Sequence, residues 1–310
     1  MAFDRFGDPD VLAVTALPLP DPGVRQVRVR VHAAAVNPTD TVFRAGLGYA
    51  AQVGHPAPWI AGMDFAGTVD QPGDGSRWSP GTRVLGIAMP SGSRQGAYAD
   101  YVVVPDDALA AAPPEASFAE ASTVAMNGLT ALRAIDLLRE RGATTVGVTG
   151  AAGAVGGLAI ELASDLGLRV VADASEADRE LVAGFGATMV LPRGQGWAAA
   201  VRSAFPDGID ALIDGAVSGP HVLSAVKDGG TVAAVRSEPP LPAERGIEVT
   251  AIQMVDYYRR ADKLEQLARA AAAGTITMRV AQVLAPDEAP EAHRRLASGG
   301  TRGRLVLDFS

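Results

Sequence analysis

Residues 144–157 read TTVGVTGAAGAVGG. The first half, TTVGVTG, is a short apolar run closed by glycine, the pattern of a strand buried on both faces. The second half puts Ala151, Gly153 and Gly156 at the three small positions of a GxGxxG fingerprint whose first glycine is alanine. Small residues there let the backbone approach a pyrophosphate, and the helix that follows points its N–H groups at it. The third lets that helix pack on its strand. A strand before, a helix after and a second strand beyond are the context such a fingerprint requires. Ala151, Ala152, Gly153, Ala154, Val155 and Gly156 are therefore the candidate cradle for a dinucleotide. An ordinary tight strand-to-helix turn is the plainer alternative.

Outward from this turn, strands and helices alternate. AVGGLAIELASDLG (154–167) reads as a helix and LRVVADA (168–174) as a second strand. A helix at 176–187, a strand at 188–192, a helix at 196–205 and a strand at 208–216 continue the rhythm, and the helix HVLSAVKDGG (221–230) with the strand TVAAV (231–235) complete it. That order predicts an α/β, doubly wound parallel sheet of Rossmann type. The first hundred residues differ: QVRVRVHAAAV (26–36), GTVD, TRVLGIAM and AYADYVVVP are short strands with Gly and Pro punctuation. FAEASTVAMNGLTALRAIDLLRER (118–141) has helical spacing, with a break expected at Asn127-Gly128. A helix at 261–274 and a strand at 302–309 are expected to return to the first domain.

The 310 residues contain 35 Gly, 21 Pro and no Cys, and 48% are hydrophobic. This is enough for two ordinary cores. Without Cys there is no disulfide, no thiolate nucleophile and no thiolate metal site. His32, His55, His221 and His293 are scattered, with none at the spacing of a helical ligand pair, so no metal is expected. A net charge of −8 argues against nucleic acid as partner. No apolar stretch approaches a membrane span and no leader pattern opens the chain, so the expectation is a cytoplasmic protein.

The end of the second strand should read the adenosine ribose. Asp173, 22 residues after Ala151, suits the 2′-hydroxyl of NAD, whereas Ser175 and Arg179 suit the 2′-phosphate of NADP. Spacing leaves both cofactors open. The plain alternative for all three is a solvated loop with Ser175 as a helix cap.

The fingerprint AAGAVGG, with VHAAAVNPTD (31–40), GMDFAGTV (62–69), GAYADYVVVP (96–105), GLTAL (128–132), GIDALIDGAV (208–217) and TRGRLVL (301–307), resembles the zinc-independent quinone oxidoreductase branch of the medium-chain dehydrogenase/reductases. The resemblance runs nearly end to end. It implies a GroES-like β-barrel catalytic domain at 1–112 and 251–310, interrupted by a Rossmann NADP-binding domain at 113–250, with the nicotinamide in the cleft between them. Where zinc-dependent relatives place a Cys and a His-Glu pair, this chain has Pro38, Met63 and Asp64. Ala172-Asp173-Ala174-Ser175 resembles the ATAS-like ending of the branch and favours NADPH over NADH, with Ser175 and Arg179 on the phosphate.

The resemblance further implies Asn37 as a hydrogen-bond donor to substrate or nicotinamide, a turn-closing Asn before Pro38 being the equal alternative. Asp40 reads as structural, a cap for the helix that follows. Tyr49 implies an aromatic wall or a donor to the acceptor oxygen, Thr130 a cofactor contact, and Asn127 a residue tuning substrate choice. Arg304 matches a position whose cation reaches the pyrophosphate, a surface Arg being the bland reading. The expected activity is metal-free reduction of quinones or α,β-unsaturated carbonyls, small electron-poor substrates. Competing expectations are a specialised, polyketide-type enoyl or ketone reductase, a non-redox cyclase or dehydratase, and a cofactor-binding protein of low activity. A homodimer is expected through an edge strand, either TVAAV or IEVTAI.

Overall fold

Val27, Val29 and Val31 are fully buried while Arg30 between them faces solvent, and this two-residue period forms a long strand. The computed structural model describes residues 1–48, 54–89, 96–235, 241–242 and 244–310, which divide into two units. The first comprises residues 1–126, 258–274 and 278–310, and the second residues 127–257 and 275–277.

In chain order the first unit contributes β1 (Ala2–Phe3), β2 (Gln26–Ala35), α1 (Pro38–Arg44), β3 (Trp59–Ile60), β4 (Asp64–Pro72), β5 (Arg83–Ile87), β6 (Tyr101–Pro105), β7 (Leu109–Ala111) and α2 (Phe118–Ala121). The helix α3 (Ala125–Glu140) opens the second unit. It continues with β8 (Thr145–Thr149), α4 (Ala154–Asp165), β9 (Arg169–Ala174), α5 (Arg179–Gly184), β10 (Met189–Pro192), α6 (Trp197–Ala204), β11 (Ile209–Asp214), β12 (Val226–Ala234) and β13 (Glu248–Ala251). The chain then returns to the first unit with α7 (Ala261–Ala272), β14 (Val280–Leu284), α8 (Ala289–Ser298) and β15 (Arg304–Asp308).

The large sheet of the first unit runs β14-β15-β2-β4-β5-β7, with β6 also paired to β2. Its core holds Phe3, Phe43, Phe65, Tyr98 and the three valines of β2. The second unit is a parallel sheet in the order β10-β9-β8-β11-β12-β13. Trp197, Ile209, Leu212, Leu223 and Val232 form its core on one face. From β8 the chain winds outward through β9 to β10, then returns to lay β11 on the other side of β8. The β8–β11 junction is thus the topological switch point, where open α/β sheets bind ligands. The α/β class and the doubly wound parallel sheet stand as expected.

Three local expectations are corrected. The helix break falls at Ser122–Val124 rather than at Asn127-Gly128, which lie inside α3. There the Ser122 hydroxyl donates to the Ala119 carbonyl (2.8 Å) and Thr123 to that of Glu120 (2.7 Å), competing with the backbone ladder. HVLSAVKDGG is not a helix: a 3-10 turn over Pro220–Ala225 leads into β12 at Val226. Arg245 takes the carbonyl of Leu223 (2.6 Å), and Arg202 those of Ser224 (2.6 Å) and Val226 (3.0 Å), so they are not left for a helical ladder. TVAAV lies in β12, paired on both sides, so of the two candidates IEVTAI, which contains β13, is the one at an edge. The unit boundaries also lie later than 112 and 250. Residues 113–126 stay with the first unit because α2 packs on β2 and β4, and Tyr257 stays with the second through its hydroxyl on Asp136 (2.9 Å).

Candidate active site

The strand β8 ends at Thr149, and Gly150 turns the chain in the left-handed region at φ +67°. A Cβ on Gly150 would stand 3.0 Å from the carbonyl carbon of Gly215, so only glycine fits both the angle and the neighbour. At Gly156 a Cβ would lie 2.3 Å from the Gly150 carbonyl oxygen and 2.8 Å from Ala151 Cα, so α4 can cross the turn this closely only without a side chain. Gly153 caps α4 with no side chain of its own, and Gly153, Ala154 and Val155 are partly exposed. The N-terminal N–H groups of a twelve-residue helix thus lie at the switch point, a site suited to an anion. Ala151 and Ala152 are buried behind them. This arrangement fits the pyrophosphate of a dinucleotide.

Asp173 turns back onto the same turn, its carboxylate accepting from Ala151 N–H at 3.0 Å. Burial pushes its carboxyl above the ordinary range, against the pull of the Ala151 and Gly150 N–H groups. Ser175 follows β9, but its hydroxyl donates to the Asp178 carboxylate at 2.6 Å. Arg179 is exposed, pairs with Glu176 (3.4 Å) and donates to the Val190 carbonyl (3.1 Å). Asn127 and Thr130 are both buried and, three residues apart on α3, share one helix face.

The first unit brings together Asn37 and Arg304, for which the sequence suggested separate tasks, and both expectations need correction. The Arg304 guanidinium is buried and donates to Asn37 Oδ1 (2.8 Å), Val36 O (3.1 Å), Asp64 Oδ2 (3.2 Å) and Thr123 O (3.3 Å). So occupied, it does not reach for a pyrophosphate. Asn37 is 1% exposed and directs its amide hydrogens to Ala35 O and Asp64 Oδ2, both at 3.3 Å. It locks a buried junction and has no amide hydrogen left for a substrate. Asp64 also accepts from Met126 N–H at 2.7 Å. Burial drives its carboxyl upward while Arg304 and these donors draw it back.

Asp40 forms a capping box with Asn37, whose N–H donates to it at 2.8 Å, as the structural reading expected. The same carboxylate accepts from Tyr98 Oη at 3.2 Å, and Tyr98 Oη lies 3.2 Å from His293 Nε2. Burial raises the Asp40 carboxyl to about 7 and lowers His293 to about 3. No sequence period marks this chain of groups, because its members come from α1, the 96–100 segment and α8. Tyr49 lies outside the described residues.

Residues 23–114 match the alcohol dehydrogenase GroES-like domain family, and residues 185–307 the zinc-binding dehydrogenase family. A quinone oxidoreductase of Sus scrofa is 28% identical over 98% of this chain and 95% of its own. A zinc-type alcohol dehydrogenase-like protein of Schizosaccharomyces pombe is 34% identical over 52% of this chain, which spans about half of that relative (48%). Among solved structures, an NAD-dependent alcohol dehydrogenase is 30% identical, with a TM-score of 0.85 over 100% of this chain and 99% of that one. A mycobacterial protein solved in complex with NADPH is 27% identical, with a TM-score of 0.82 over 99% of this chain and 98% of that one. The fold and the glycine-rich turn define a dinucleotide-binding architecture of two units. The chain belongs to the medium-chain dehydrogenase/reductase superfamily and is similar to quinone oxidoreductases within it.

Among the described residues the donors do not make up a zinc site. The chain has no Cys, and the described residues hold no cluster of three His, Cys, Asp or Glu side chains that could bind an ion. Asp64, where zinc relatives carry a Glu, is saturated by Arg304, Asn37 and Met126 N–H. No described helix is long and apolar enough to cross a membrane.

Proposed function

We propose that this chain is a reductase acting on quinones or α,β-unsaturated carbonyls, with NADPH as hydride donor and without a catalytic metal. The observation that supports the reading is the glycine-rich turn at the switch point, which leads into the N-terminus of α4 and suits a pyrophosphate. When bound, the dinucleotide supplies two electrons as hydride, and a proton from solvent or a side chain completes the reduced product. The chain's own task is to hold and orient. Gly153 to Gly156 grip the diphosphate, while Asn127 and Thr130 on α3 present a polar face for the acceptor or the nicotinamide. Ser175 and Arg179, with the NADPH-bound mycobacterial relative, support NADPH.

A second reading, NADH as donor, rests on Asp173 and Asp178. Two carboxylates near the ribose end disfavour a 2′-phosphate by like-charge repulsion, and the Ser175 hydroxyl is already bonded to Asp178. The NAD-dependent relative is in line with it. Oxidation of NADPH and NADH in parallel, with 9,10-phenanthrenequinone, 1,4-benzoquinone and a short enone, decides between them by the ratio of kcat/KM. Turnover with neither, together with thermal stabilisation by the dinucleotides, would point to a specialised biosynthetic substrate or a non-redox role. Absence of stabilisation would overturn the cofactor reading.

We also propose a homodimer in which the outer edge of β13 pairs with its copy across a two-fold axis. A monodisperse monomer by light scattering at working concentration would refute it.

A further inference from the structure

We propose that Asp214 is the positioning residue that shapes the switch-point crevice and so sets how tightly the dinucleotide is held, an inference that rests on the dinucleotide reading above. Asp214 is the last residue of β11, in register with Thr149, the last residue of β8. Two loops leave these adjacent strand ends: the glycine-rich turn from β8 and residues 215–219 from β11. Both residues are 2% exposed. The Asp214 carboxylate accepts from Thr149 Oγ1 at 2.6 Å, reaching across to the partner strand. It also accepts from Ala216 N–H at 3.3 Å and from Ser218 through N–H (3.0 Å) and Oγ (3.0 Å). One side chain thus ties the floor of the crevice to one of its lips.

Between the two backbone groups that Asp214 grips stands Val217, at φ +55°. A β-branched residue resists the left-handed region, and such a conformation persists only where the surroundings over-determine it. Here the hydrogen bonds to Ala216 and Ser218, one on each side, do so. The resulting path brings the backbone of Gly215 and Ala216 so close to Gly150 that a Cβ on Gly150 would stand 3.0 and 3.1 Å from them. The 215–218 loop is therefore packed against the first residue of the glycine-rich turn, and its shape is passed to the cradle.

The test uses the full chain and titrates NADPH and NADH against wild type and D214N. Asn keeps the volume of Asp214 but replaces one acceptor oxygen with a donor NH2 facing other donors. D214N is expected to raise the Kd for both dinucleotides by about tenfold, the scale of one hydrogen bond to a charged group, with their ratio unchanged. KM for the dinucleotide should rise with it while kcat at saturation stays within about twofold. V217G in the D214N background removes the strain that the carboxylate restrains and is expected to recover most of the lost affinity. A residue needed only for stability would leave the Kd of the folded protein at the wild-type value. If D214N does not fold, S218A, which removes one donor and leaves the carboxylate, is expected to weaken both dinucleotides about threefold. Wild-type affinity in a folded D214N, or in S218A where D214N does not fold, overturns the role of Asp214 alone. A wild-type chain that binds neither dinucleotide overturns both this inference and the reading beneath it.

Discussion

Asp40 and His293 stand on either side of the Tyr98 hydroxyl, and burial shifts them in opposite directions. Asp40 rises from 3.8 to about 7, a shift of about 4 kcal/mol at 1.36 kcal/mol per unit. The folded state keeps its proton where the unfolded state has lost it, so stability from this group is full below about pH 4. It falls as pH rises toward 7. His293 drops from 6.5 to about 3, so the unfolded state holds the extra proton. Its contribution is full above pH 6.5 and is lost as pH falls toward 3. Between pH 5 and 6.5 both groups are inside their windows, with slopes of about −1.4 and +1.4 kcal/mol per pH unit. They cancel, and each single substitution exposes the other. D40N is expected to gain about 2 kcal/mol of stability relative to wild type as pH rises from 5 to 6.5, and H293Q to lose about as much. Both variants keep a polar side chain against Tyr98. Urea denaturation at half-unit pH steps, followed by tryptophan fluorescence, measures this, and groups common to all three proteins drop out of the differences. If wild type and D40N differ by the same amount at every pH, the buried-acid assignment fails.

R304M leaves Asp64 buried without its cation and is expected to cost about 3–5 kcal/mol in urea denaturation, a loss under about 1 kcal/mol counting against the buried clamp. D178N removes the carboxylate bonded to Ser175 and should raise the NADPH-to-NADH ratio of kcat/KM about tenfold, about 1.4 kcal/mol. An unchanged ratio would show that Asp178 does not sense the 2′-phosphate. G156A forces a methyl to within 2.3 Å of a carbonyl oxygen and should cost about 1–3 kcal/mol while abolishing dinucleotide binding. Isothermal titration of the folded variant checks it, and retained affinity would refute the close approach.

The doubly wound sheet was legible because its signal is local. TTVGVTG and its successors each carry a strand's apolar run, and the glycines of the turn stand within seven residues of one another. Asn37 and Arg304 were placed correctly in chain order and misread in task, since their bond spans 267 positions and no periodicity reaches that far. A motif says which residue sits at a place, but not whether another side chain has already taken its hydrogen bonds. The Asp214 clip had a faint signal, an Asp closing the apolar run GIDALID. A lone carboxylate at the end of a buried strand calls for a partner, and Thr149 ends the neighbouring strand in the same way. His293 gave no cue, because its burial depends on Tyr98, 195 residues earlier.

β15 lies beside β2 in the sheet of the first unit, and it leaves the ribosome long after its partner. During synthesis, Asp64 is made 240 residues ahead of the arginine that neutralises it, so the nascent first unit carries an unpaired carboxylate at its centre. That unit also lacks β14 and β15 on the open flank of β2. The second unit, whose sheet strands are continuous in sequence from β8 to β13, can close its sheet meanwhile. Vectorial folding would therefore run against the order of the genetic message. The second unit would mature first, and the first would close only once β15 has been made. Ribosome-stalled chains ending near residue 300 should accordingly expose the first unit to protease while the second resists.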